Sequence, residues 1–117
     1  MPSPSPQPER RRKPRALADF VIDLAASTAP LPVRLRDLSE LGLCCTCDAK
    51  LRAGTNLTVV LTLPGSTDRH QLTGRVVRCA PADARGAQFT VGVQFREVPP
   101  VARAAIGGYV ARGRRAP

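Results

Sequence analysis

Two short stretches of this 117-residue chain concentrate the side chains able to do chemistry. The first is a basic arm holding Arg10, Arg11, Arg12, Lys13 and Arg15, with Arg11 and Arg15 four positions apart. The second is Asp37-x-Ser39-x-x-Gly42. A guanidinium offers its donors as a rigid planar fork that matches paired acceptor oxygens, which a lysine ammonium cannot do. A carboxylate accepts, a hydroxyl both donates and accepts, and glycine tolerates turns and close backbone approaches denied to other residues. Sixteen of the eighteen basic residues are arginine, and the formal net charge is +9. Eight basic residues and one acidic residue lie in the two tails, so only +2 of that charge belongs to residues 16–111. A basic arm on a near-neutral body points to an anionic partner met by the arm.

Chance separates the two stretches. Random placement of sixteen arginines yields roughly two Arg-xxx-Arg pairs, so that spacing alone carries no weight. With 6 Asp, 5 Ser and 9 Gly in the chain, Asp-x-Ser-x-x-Gly is expected roughly 0.02 times. Each residue also has a plain structural reading. Asp37 and Ser39 at a strand end can form an Asx-type turn, Gly42 can be turn grammar, and a charge run can be solvated surface. Order is what joins them: the arginine pair stands just before the first strand, and the second motif closes the next one.

The elements that must position these groups are strands. Phe20, Ile22 and Leu24 alternate with Val21 and Asp23, which predicts a half-buried strand over 17–25. Val33, Leu35 and Asp37 alternate with Arg34, Arg36 and Leu38 in a second strand, which ends at the turn Ser39–Gly42. Leu43–Cys47 makes a third, and the β-branched run Asn56–Leu63 a fourth, stopped by Pro64-Gly65. Gln71–Cys79 and Gln88–Phe95 follow, separated by the loop Pro81–Gly86. Six strands at short, regular spacing predict a small barrel or sandwich. Val101–Ala111 is rich in alanine and predicts a short closing helix, weakened by Gly107-Gly108. Residues 1–8 alternate proline with polar residues and are expected to be disordered. Residues 9–15 form the arm, 16–111 the folded domain, and 112–117 a basic tail. Aromatics make up only 3% of the chain, so aliphatic side chains must fill the core.

With those strands in place, ERRRKPR, VRLRDLSELGL, LRAGTNLTVVLTLP, LTGRVVR and FTVGVQF together resemble a PilZ domain over Glu9 to Phe95. Gly54 after a short loop, Gly74 in a strand and Val91-Gly92-Val93-x-Phe95 agree with the resemblance. It implies an all-β, six-stranded antiparallel PilZ-type barrel with a short C-terminal helix. It further implies a bacterial, cytoplasmic receptor for the second messenger cyclic di-GMP, with no catalytic activity. Its site would be formed by Arg10, Arg11, Arg15, Asp37, Ser39 and Gly42. The chemistry suits that ligand. Guanine O6 and N7 match an arginine fork, a carboxylate can accept from the N1–H and N2–H₂ edge, and guanidinium groups also pair with phosphates. The Ser39 hydroxyl would reach base or phosphate, and Gly42 would allow a tight, left-handed turn and a close backbone approach. On this reading ligand charge draws the arm onto the barrel, and the ordered arm presents a surface to an unidentified effector protein. The alternative is a PilZ-fold adaptor that works through protein contacts with weak or no nucleotide binding.

Other functions fare worse. Cys44, Cys45, Cys47 and Cys79 give zinc no paired ligands on turns, because Cys44–Cys47 lies in a strand where only Cys45 and Cys47 share a face. No metal is therefore expected. The single histidine, His70, opens a strand beside Asp68 and Arg69 and reads as a surface residue. No nucleophile, paired-carboxylate or phosphate-loop signature accompanies it. A binder of single-stranded nucleic acid needs aromatic platforms on its strands, and this chain has almost none. No apolar run behind the N-terminal charges reads as a secretory signal, and none is long enough to insert in a membrane.

Overall fold

The computed structural model describes residues 14–26 and 30–114. The expected disordered tail, Arg10, Arg11 and the end of the basic tail lie outside them. Six strands follow in order: β1 (Arg15–Ala25), β2 (Leu31–Ser39), β3 (Gly42–Cys47), β4 (Asn56–Thr62), β5 (Arg69–Pro81) and β6 (Phe89–Glu97). One helix, α1 (Pro100–Arg112), comes after them. All neighbouring strands are antiparallel, and the sheet closes in the order β1-β2-β3-β6-β5-β4, with β4 returning to β1. Closure leaves no unpaired edge, which for a sheet this small removes the hazard of edge-to-edge association.

The interior follows the period of two. Ile22, Leu24, Val33, Leu35, Leu43, Leu57, Val59, Leu61, Leu72, Val76, Val91 and Val93 all point inward and are buried. Each such aliphatic side chain taken from water contributes roughly 1.5–3 kcal/mol. The core is made from branched aliphatics, as the scarcity of aromatics requires. His70 is buried too, at 8% exposure. It shares the inward face of β5 with Leu72, Gly74 and Val76, which corrects its reading as a surface residue. Two residues before the first apolar position of that strand, the alternation already holds.

Helix α1 starts with proline at its first turn, where no N–H is needed. Ala102, Ile106 and Val110, four apart, form its buried stripe. Its C-terminal end is fastened to the start of β1. The Leu17 N–H donates to the Arg114 carbonyl at 2.8 Å, the Tyr109 hydroxyl donates to the Leu17 carbonyl at 3.1 Å, and Phe20 meets Tyr109 edge to face. Further along, Gly107 lies against the Glu40 side chain of the β2–β3 turn. One short helix thus touches both the strand that begins at Arg15 and the turn that contains Ser39.

Candidate functional site

The outer face of the barrel departs from strict alternation at places that matter. On β2, alternation alone would send Asp37 inward with Val33 and Leu35, and Leu38 outward. The structure does the reverse: Leu38 is wholly buried and Asp37 lies at the surface. The cause is a bulge. Leu35 pairs with Cys45 and Asp37 with Cys44, so Arg36 is the extra residue on β2. On the other side β1 carries its own extra residue between Leu17 and Phe20. Bulges commonly re-aim a side chain in this way near functional sites.

Outward aim brings Asp37 to Arg15, the first residue of β1. The Arg15 Nη2 donates to Asp37 Oδ1 at 2.6 Å and the Nε to the same oxygen at 3.0 Å. Asp37 Oδ2 has no hydrogen bond among the described residues. Both side chains remain solvent-accessible, at 42% for Arg15 and 22% for Asp37, so the pair adds at most about 1 kcal/mol to stability. It holds two charged groups in place and, among the described residues, engages one carboxylate oxygen of the two. A second outer pair, Arg34 with Asp19, lies further along the same two strands.

Ser39 and Gly42 behave differently. Ser39 is 1% exposed, and its Oγ accepts from the backbone N–H of Leu41 at 3.1 Å and of Gly42 at 3.3 Å. Its hydroxyl faces the Gly42 carbonyl. Here the serine closes the turn and leaves no atom at the surface. Gly42 is not left-handed; positive φ occurs at Gly54, Gly65 and Gly86. The left-handed expectation for Gly42 is therefore corrected, and the close approach is what requires glycine. A Cβ at this position would run into the Val93 carbonyl of β6. The turn is tied to the same strand by the Phe95 N–H donating to the Leu41 carbonyl at 2.8 Å.

The cysteines divide by face. Cys45 and Cys47 point inward and are buried, as their spacing predicts. Burial, with the neighbouring thiols of Cys47, Cys44 and Cys79, pushes Cys45 up to about 12. Burial also raises Cys47 above the ordinary thiol value. Cys44 faces outward between strands. Partial burial raises it first and the Asp37 carboxylate second, while Arg78 and Arg15 pull the other way. Arg78 of β5 is thus a neighbour that the sequence reading did not single out. Its only signal was a broken alternation at Val76-Val77-Arg78. Among the described residues no group of three or more His, Cys, Asp or Glu side chains is placed to hold a metal ion.

The fold is that of a small, closed six-stranded β-barrel domain, with an arginine at the root of its first strand meeting a carboxylate from the next. The PilZ domain family model matches residues 9–112. The chain belongs to the PilZ domain family. No curated protein matches it in sequence. Among solved structures it is similar to the inhibitor of motility (MotI/DgrA) of Bacillus subtilis, at TM-score 0.76 and 16% identity, covering 88% of this chain and 50% of that one. It is also similar to the PilZ domain of YcgR from Escherichia coli, solved with c-di-GMP, at TM-score 0.69 and 16% identity, covering 87% and 89%. A third is the PlzA protein of Borreliella burgdorferi in complex with c-di-GMP, at TM-score 0.63 and 14% identity, covering 92% and 50%. The chain spans about half the length of the Bacillus and Borreliella proteins. At these identities the likeness speaks for the fold.

Proposed function

We propose that this chain is a bacterial cyclic di-GMP receptor acting in the cytoplasm, without catalysis of its own, that passes its signal to an effector protein. The observation that carries the reading is the meeting of Arg15 with Asp37 on the outer wall of a PilZ barrel. These are one member each of the arginine arm and the Asp-x-Ser-x-x-Gly turn, 22 residues apart in sequence. Two of the similar structures, from Escherichia coli and Borreliella burgdorferi, contain the same nucleotide. Among the described residues no helix is long and apolar enough to cross a membrane.

Each residue has a role that its chemistry allows. Asp37 Oδ2, which has no hydrogen bond among the described residues, can accept from the N1–H and N2–H₂ edge of a guanine. Arg15, turning one side of its fork from Asp37, pairs with a phosphate or with O6 and N7. Arg10 and Arg11 supply further forks from the arm. Ser39 and Gly42 serve by shaping the turn: the hydroxyl gathers two backbone N–H groups, and the glycine lets β3 lie against β6. The buried Ser39 hydroxyl reaches ligand only if the turn opens, so its first contribution is placement of Asp37.

Isothermal calorimetry with cyclic di-GMP tests this directly, with cyclic di-AMP and Arg15→Ala as controls. Selective binding that is lost in the variant is the expected result. An intact, folded protein that shows no heat of binding overturns the receptor reading and leaves a protein-contact adaptor as the account of the fold.

A further inference from the structure

A second bulge mirrors the one at Arg36. Along β5 the inward residues are His70, Leu72, Gly74 and Val76, so strict alternation would bury position 78 as well. Val76 pairs with Val93 and Arg78 with Gly92, which makes Val77 the extra residue. Both Val77 and Arg78 consequently stand on the outer face, Val77 at 53% exposure. An arginine that would otherwise enter an aliphatic core is delivered to the surface.

The register then places that arginine opposite the site already described. Asp37 pairs with Cys44, Cys44 with Gly92, and Gly92 with Arg78. One row of residues therefore runs around the wall over four strands, charged at each end and small in the middle. At about 4.8 Å per strand, Asp37 and Arg78 lie roughly 14 Å apart along the backbone, with Cys44 and Gly92 between them as a low floor. The Arg78 and Val77 side chains lean over Gly92, within 4.0 Å of where a Cβ would stand. Arg78 also reaches the Cys44 thiol, on which it acts electrostatically together with Asp37 and Arg15. Among the described residues Arg78 forms no ion pair, whereas Arg15 has Asp37 and Arg34 has Asp19.

We propose that Arg78 is the far guanidinium of the nucleotide site. It faces Arg15 and Asp37 across the floor of Cys44 and Gly92, and takes acceptor oxygens or nitrogens of the bound dinucleotide from the side opposite Arg15. This rests on the receptor reading and deepens it. A cyclic dinucleotide carries two anionic groups and two purine edges that face different ways, so forks on the Arg15 side alone would meet it from one side only. A second fork across a floor of small side chains meets it from the other, and exposed Val77 beside it gives an apolar ledge for a purine face. Lysine at position 78 would keep the charge and lose the fork.

Calorimetry on the full chain with cyclic di-GMP provides the test, using Arg78→Ala, Arg78→Lys, Cys44→Phe and, as a control for lost charge, Arg75→Ala. Arg75 also points outward from β5, but toward Gly54. Arg78→Ala should weaken binding about tenfold or more, the scale of a lost charge-assisted contact. Arg78→Lys should recover only part of that loss, and Arg75→Ala should stay within about twofold of the parent. Cys44→Phe should block binding by filling the floor while the thermal melt stays cooperative. If the parent binds and Arg78→Ala matches Arg75→Ala, the inference fails and the receptor reading stands. If the parent itself does not bind, the receptor reading fails first and this one with it.

Discussion

The two faces of the barrel wall obey different rules. The inner face keeps its period of two along nearly every strand, and most of its residues are of one kind: leucine, isoleucine and valine. The outer face carries its chemistry where the period fails, at the Arg36 and Val77 bulges and at the start of β1. Stability is spread over many inner positions, whereas the proposed recognition falls on a few outer ones that contribute little to stability. Substitutions should therefore separate folding from binding, even between residues two apart on one strand.

The largest effect should come from Leu35, wholly buried on β2. Leu35→Ala should cost about 2–5 kcal/mol by lost transfer energy and the cavity left behind, read as a drop in the urea midpoint. Gly42→Ala should come next. It drives a methyl group into the Val93 carbonyl, and neither strand can yield without breaking the β3–β6 ladder; overpacking of this kind costs about 1–3 kcal/mol. If Gly42→Ala melts like the parent, glycine is there for ligand approach alone and the turn is less constrained than its geometry says.

Ser39→Ala sits between the two faces. It strips the acceptor from two backbone N–H groups at a buried turn, a loss of about 1–3 kcal/mol. Its binding should fall through misplacement of Asp37. Ser39→Thr, which keeps the hydroxyl, should then recover stability and affinity together. Recovery of affinity without stability would instead point to direct ligand contact.

The inner face also has a pH signature. Burial raises Cys45 from about 9 in an exposed chain to about 12 in the barrel. The folded state therefore holds the proton more tightly than the unfolded one. Its contribution is complete below pH 9 and is lost as pH rises toward 12. Denaturant midpoints should decline over that window, and Cys45→Val should flatten the decline. An unchanged slope would mean that water reaches the thiol.

The six strands and the closing helix were legible because their signal is local: alternation, β-branched runs and glycine or proline at the turns. The bulges were not. An extra residue is visible only against the strand it pairs with, so nothing in VRLRDLS says that Asp37 turns outward and Leu38 inward. The same blindness hid Arg78, whose outward aim depends on Val77 having no partner on β6. Gly42 was legible as a glycine that permits a close backbone approach, but the atom it avoids was not, because that atom belongs to a residue 51 positions later. His70 was misread from its polar neighbours Asp68 and Arg69, though it begins the inward series of β5. The Asp-x-Ser-x-x-Gly spacing was legible as a turn because the serine itself closes it, by accepting from the Leu41 and Gly42 N–H groups.

The smallest expected change in stability marks the sharpest form of the contrast. Arg15→Ala removes an ion pair that is half in solvent, where screening and side-chain entropy offset most of the Coulomb gain. The melting transition should move by no more than the equivalent of about 1 kcal/mol, while cyclic di-GMP binding should fall below detection. Asp37→Asn should act the same way: it keeps the shape and one acceptor but discharges the group that fixes Arg15. A double-mutant cycle on the two then separates their coupling from their separate contacts with ligand. Strong coupling in binding with almost none in stability is what an outer strip built for recognition requires. Equal coupling in both would make the pair a structural clasp and move the site elsewhere on the wall.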